Sequence, residues 1–348
     1  MAGPSTFSNQ FAFTSDYWLI DGVTGGGPTA WESNYGFQIT ETGASNPVLD
    51  IGRTGSGNFV TIRHCKLTGM NNGNTNGGSA GNDGVAVLGK GNITLSYLWI
   101  QNVGRCPFFL SPVGAGGIVV EYCNVGYFYG STAAHAEIAS IYPVYGNVVF
   151  RWSLFRHSYS TGGIMWGNED TPSTTISVYG NVFYQPAGVS WAHGNGVLGG
   201  WTTSANSNPT MNNFFVYNNT FVNVDYLPLS TLPAKAAGCV AVNNLFYNTA
   251  SPDFTKFPTH DYNYFINSGG THGEANGTSA TSGDPFVDYV NLDFSLKANT
   301  AAGKNLGAPY NIDMMGKVRS TWSRGAYEFG TTTTGAPTSP QNLRVLAP

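Results

Sequence analysis

The feature that most constrains this 348-residue chain is a segment that recurs without gaps at uneven intervals. "VTIRHCKL" (60–67), "ITLSYLWI" (93–100), "IVVEYCNV" (118–125), "VVFRWSLF" (148–155), "ISVYGNVF" (176–183), "FFVYNNTF" (214–221) and "CVAVNNLF" (239–246) align position for position, and "DYNYF" (261–265) is a shorter eighth copy. Successive starts lie 25 to 38 residues apart. Self-similarity on this scale indicates a solenoid, here one whose loops differ in length from coil to coil.

The aligned columns say which side chains face inward. The first column (Val60, Ile93, Ile118, Val148, Ile176, Phe214, Cys239) and the third (Ile62, Leu95, Val120, Phe150, Val178, Val216, Ala241) are apolar and two apart, as one buried face of a strand requires. The sixth runs Cys65, Leu98, Cys123, Ser153, Asn181, Asn219, Asn244, Asn263, and the eighth runs Leu67, Ile100, Val125, Phe155, Phe183, Phe221, Phe246, Phe265. The inward phase slips by one between the third and sixth columns, which a two-residue bend would produce. Gly180, Asn218 and Asn243 stand at that bend and tolerate a left-handed backbone. The Asn that follows turns inward. Stacked ~4.8 Å from its copies, it forms an asparagine ladder beside a phenylalanine ladder, confined to the later coils.

Only 10% of residues are charged, Gly numbers 46 and aromatics reach 14%, a profile of a long, turn-rich all-β protein. The formal charge is −4 and no basic cluster exists, which argues against nucleic acid or an anionic membrane as partner. No apolar run approaches the ~18 residues of a membrane span. The opening "MAGPSTFSNQ" lacks the features of a signal peptide and is read as the start of a trimmed mature domain of a secreted, bacterial-type protein. The four cysteines match no zinc spacing. Cys65 and Cys123 share a column two coils apart, ~10 Å, too far for a disulfide.

Together these columns, the opening "SDYWLIDGVTG" (15–25) and the ending "RSTWSRGAYEFG" (319–330) resemble the right-handed parallel β-helix of pectate-lyase-like proteins. The resemblance implies about 8–10 coils with irregular loops over residues 1–330, the Arg and "GAYE" closing the last coil. A β-sandwich is the competing fold. Residues 331–348, "TTTTGAPTSPQNLRVLAP", read as a Thr/Pro-rich linker and the truncated first strand of a fibronectin type III-like module, or else as a disordered tail.

No Walker loop, nucleophile elbow, dinucleotide fingerprint or HExxH motif occurs, so chemistry must come from side chains of the coils and their loops. The densest polar stretch is 135–195. With Ile138 inward, His135 and Glu137 project outward together. The matching strand of the next coil is "TGGIMW" (161–166), whose Gly162 and Gly163 leave a depression. The coil after that offers His193 and Asn195. Arg151 and Glu121 share an outward column in adjacent coils and form an ion pair. Alternatively, Arg151 or Arg156 neutralises a uronate carboxylate, as β-elimination requires, with His135 as base. A hydrolase needs two carboxyls, which Glu137 with Glu169 or Asp170 could supply. Trp166, Asn168, Trp191, Asn195 and Trp201 are candidate sugar contacts. Pectate-lyase-like enzymes typically use a Lys or Arg base and a calcium ion. Here Lys66 and Lys90 lie in early coils, and Glu169–Asp170 is the adjacent acidic pair that could hold Ca2+. The reading is a polysaccharide lyase or glycoside hydrolase acting on an extended glycan; the alternative is a non-catalytic adhesin, fibre or glycan-binding module.

Overall fold

The computed structural model describes residues 4–43, 45–70, 82–126, 128–129, 137–156, 158–159, 162–167, 175–187, 197–200, 213–224, 238–255 and 257–330. The chain is a parallel β-helix solenoid, and each full coil passes through three faces. The first face carries the strands that pair Trp18 with Val60, Val60 with Ile93, then Ile118, Val148, Ile176, Phe214 and Cys239. The second carries the longest file: Phe7, Ile39, Leu67, Ile100, Val125, Phe155, Phe183, Phe221, Phe246, Phe265 and Ser279, each opposite the next. The third pairs Phe11, Leu49, Val85, Phe108, Ala139, Ile164 and Leu198 in turn. Every column read from the sequence stands in register. Strands Ser5–Ser8 and Phe11–Phe13 already belong to the helix, ahead of the "SDYWLIDGVTG" stretch.

The slip of inward phase falls at the expected bend, where pairing skips two residues in most coils, as from Arg151 opposite Tyr179 to Leu154 opposite Val182, and a single one between the coils of Val60 and Ile93. Pairing skips from Arg63 opposite Ser96 to Cys65 opposite Leu98. The first bend position is left-handed in eight successive coils: His64, Tyr97, Tyr122, Trp152, Gly180, Asn218, Asn243 and Tyr262 all have φ between 50° and 66°. For a bulky side chain this conformation costs on the order of 1 kcal/mol. In the early coils ring stacking offsets it, with centroids 4.7 Å apart for His64–Tyr97, 4.8 Å for Tyr97–Tyr122 and 5.2 Å for Tyr122–Trp152. Gly180 follows because a Cβ there would lie 2.8 Å from the Trp152 ring.

Inside the bend lies the amide ladder. Asn181, Asn219 and Asn244 each donate Nδ2 to Oδ1 of the next Asn, at 3.1, 3.1 and 3.0 Å, and that same Oδ1 accepts the backbone N–H of the preceding Asn. Each Nδ2 also reaches a backbone carbonyl of the preceding rung: Phe150, Val178 and Val216. Ser153 begins the series by accepting from Cys123 N–H and donating its own N–H to Asn181. Glu274 ends it: its carboxylate takes the backbone N–H of Asn263 at 2.9 Å and Nδ2 at 2.6 Å. Since each amide gives one Nδ2 hydrogen toward the C-terminal end, the last one needs an acceptor there, which the Glu274 carboxyl oxygens supply. Beside the ladder, Phe155, Phe183, Phe221, Phe246 and Phe265 stack at 4.8–5.2 Å. All four cysteines are free and buried, so Cys65 and Cys123 are unpaired as expected.

The C-terminal segment departs from expectation. The "GAYE" stretch does not close the last coil. It lies along the outside of the second face, where Ala326 N–H donates to Thr220 Oγ1 and Gly325 N–H to the Asn243 carbonyl. Phe286, Phe294, Leu296 and Met314 form a second apolar cluster with the outward Leu154, Val182, Val222 and Leu245. Burying that outward apolar stripe explains the segment's course. Arg319, fully buried, donates to the carbonyls of Ser323, Gly325 and Ala326, and Glu328 accepts from Ser320, Thr321 and Ser323 N–H. The segment is thereby a tied loop rather than an added rung. Residues 331–348 lie outside the described residues.

Candidate functional site

The coil alignment expected around the polar stretch is present. Glu137 stands opposite Gly162, and Ile164 of the same strand stands opposite Leu198 in the following coil. His135 and His193 lie outside the described residues, as do Asn168, Glu169, Asp170, Trp191, Asn195 and Trp201.

Glu137 itself does not project outward as expected. Ala139 and Ile141 are the residues in file with interior Phe108 and Leu110, and Glu137 shares their parity. Only 6% of it is exposed, and its Oε2 lies 3.6 Å from the Cys106 thiol. The glycines opposite do not form a depression either. A Cβ on Gly162 would meet Met165 Cγ at 3.0 Å and Glu137 Cγ at 3.5 Å, and one on Gly163 would lie 1.9 Å from the Val197 carbonyl oxygen. Glycine is required there so that two backbones can approach.

The corner that Glu137 occupies holds further acids that sequence reasoning missed. Asp83, Cys106 and Glu137 each sit two residues before Val85, Phe108 and Ala139, which pair in turn, so the three form one file on consecutive rungs. Asp83 accepts the Cys106 N–H at 3.1 Å and pairs with Arg105 at 3.1 Å. Burial pushes the Asp83 carboxyl above the ordinary carboxylate range, against the pull of Arg105. The Cys106 thiol is pushed well above its ordinary value by burial and by the neighbouring Glu137 and Asp83, and so stays neutral. The signal in the sequence was "NDG" (82–84), directly ahead of the Val85 strand.

The other described candidates are distributed around the helix. Arg151 projects from the first face. It holds Glu121 through Nη2 at 2.6 Å and Nε at 2.7 Å, donates to the Tyr179 hydroxyl at 3.1 Å and lies over Trp152 at 4.3 Å. The ion pair expected in adjacent coils is thus present. Burial works against the Arg151 charge, but Glu121 and Tyr179 outweigh it and hold its pKa above the ordinary value. Arg156 lies on the second face, 4% exposed, donating to Asn124 Oδ1 and paired with Glu32. Trp166 is fully buried among the interior apolar residues, where no sugar ring can stack on it. Glu137, Arg151 and Arg156 therefore stand on three different faces rather than in one cleft. Among the described residues, no group of three or more His, Cys, Asp or Glu side chains is arranged to hold a metal ion. No helix among them is long and apolar enough to cross a membrane.

No protein-family model matches the chain, and no curated protein matches it. Among solved structures it is similar to the crystal structure of pectate lyase Pel9A, with 11% sequence identity and a TM-score of 0.42, covering 94% of this chain and 86% of that one.

Proposed function

We propose that this is a carbohydrate-active β-helix protein that cleaves an extended polysaccharide lying along its coils, with the chemistry at the corner between the second and third faces. The observation that carries the reading is the file Asp83–Cys106–Glu137. It sets two carboxyls two rungs apart, about 9.6 Å between backbones, the first with its pKa raised by burial. A glycoside hydrolase needs one carboxyl that holds a proton and one that does not, roughly 5–9.5 Å apart depending on the stereochemical course. In this reading Asp83 is the acid and Glu137 the base or nucleophile. In the same reading His135 and His193 assist the proton transfers, Asn168, Trp191, Asn195 and Trp201 contact the sugar, and Glu169 and Asp170 hold a Ca2+; all of these lie outside the described residues. The lyase branch is less favoured, because Arg151 and Arg156 already have carboxylate partners and neither is free to neutralise a uronate.

A non-catalytic glycan-binding module is the second reading. It is favoured by the dispersal of Glu137, Arg151 and Arg156 over three faces. Incubation with a panel of uronate and neutral polysaccharides separates the cases. New reducing ends without unsaturated-product absorbance, lost in both Asp83→Asn and Glu137→Gln, are expected. Ultraviolet absorbance from unsaturated ends would move the assignment to a lyase. Binding without any new ends would leave the module.

A further inference from the structure

The outer side of the second face changes character along the helix. From Leu154 onward its outward residues Leu154, Val182 and Leu245 are fully buried in the cluster made with the C-terminal segment. In the first four rungs the same two files read Thr6, Gln38, Lys66, Trp99 and Ser8, Thr40, Thr68, Gln101. All eight are exposed or half-buried. The result is an open ledge of hydroxyl, amide and indole groups at ~4.8 Å intervals, bounded at its far end by Asn124, whose Nδ2 donates to the Trp31 carbonyl.

Two features distinguish this ledge from ordinary polar surface. The Lys66 ammonium lies 4.1 Å from the Trp99 ring centroid, yet among the described residues no carboxylate pairs with it, whereas Arg53, Arg63, Arg105, Arg151 and Arg156 each have one. The nearby Glu32 is paired with Arg156. In addition, the Trp99 indole N–H is buried with no hydrogen-bond partner among the described residues, and so is that of Trp31, which is 5% exposed. Unpaired donors of this kind cost free energy until an acceptor arrives. Burial also lowers the Lys66 pKa, with Glu32 opposing, so an anion placed there would restore what solvent has ceased to supply.

We propose that the ledge is a second glycan-binding surface, which takes a carboxylate-bearing polysaccharide with its acid group at the Lys66 ammonium and the Trp99 indole N–H. Its hydroxyls meet Gln38, Thr40, Thr68 and Gln101. The inference rests on the carbohydrate reading above but uses none of the corner residues. Affinity electrophoresis in gels containing polygalacturonate, or a neutral glucan as control, tests it. The wild-type protein is expected to be retarded by polygalacturonate, less so as salt rises. Lys66→Met keeps a chain packed on the indole and removes the charge; it should weaken that binding about tenfold and leave any glucan binding unchanged. Trp99→Phe, which keeps a ring and deletes the N–H, should weaken it as well. Both variants should unfold at the wild-type denaturant midpoint. Wild-type retardation in both variants would overturn the ledge while leaving the carbohydrate reading intact. If the wild-type protein binds no polysaccharide at all, the broader reading fails first and the ledge fails with it.

Discussion

Asn219 shows how one side chain serves three strands. Its Oδ1 accepts both N–H groups of Asn181, and its Nδ2 donates to the Val178 carbonyl and to Asn244 Oδ1. Asn219→Ala would strand several of these groups in a site with no water access. The expected cost is about 3 kcal/mol, read as a lower urea midpoint at unchanged slope. A loss under about 1 kcal/mol would mean that the ladder is incidental to stability. At this scale the sequence was highly legible, because Asn at a fixed offset after a left-handed residue has few other uses. Glu274 was not legible. Its role comes from a loop that folds back over the ladder's end, and nothing in "THGEANG" marks it as a terminator.

Each strand of the third face is short, and its neighbours are set by backbone proximity. Gly162–Trp166 illustrates this. Gly163 lets its chain approach the Val197 carbonyl, whereas Gly162 is met only by the flexible Met165 and Glu137 side chains. Gly163→Ala should therefore destabilise by about 3 kcal/mol or more, and Gly162→Ala by less, compared through thermal midpoints. Equal, negligible effects would restore the open depression expected from sequence. That expectation failed for a definite reason. Two adjacent glycines signal missing side chains, but the sequence does not say whether the vacated space is filled by solvent or by another backbone.

Across the whole molecule, the C-terminal segment that covers the outside of the coils is tied together by buried ionic groups, and this gives stability a pH dependence. Burial disfavours the charge of Glu328, but hydrogen bonds from Thr321, Ser323 and Ser320 prevail and hold its carboxyl below the usual 4.5. A group whose folded pKa is lowered contributes stability above its unfolded value, and that contribution is lost as pH falls. Asp83, raised by burial, acts in the opposite sense: acidification relieves it. The unfolding midpoint of the wild-type protein should drop as pH falls below about 4.5. Glu328→Gln should be less stable at pH 7 and show a flatter acid limb. An acid limb as steep in the variant as in the wild-type protein would assign the sensitivity elsewhere.

The sequence by itself determined the interior. Its inward files had to be apolar, amide or aromatic in every coil, and such repetition survives any variation in loop length, which is why Phe183, Phe221 and Phe246 could be aligned before any coordinates existed. Only the tertiary structure decided what lies against the outside: the second-face stripe covered by residues 284–330, the burial of Glu137 beside Cys106, and the ledge left open at Lys66 and Trp99. Those contacts join segments that are not periodic and lie far apart in the chain, so their outcome depends on which surfaces meet in space and not on any local pattern of residues.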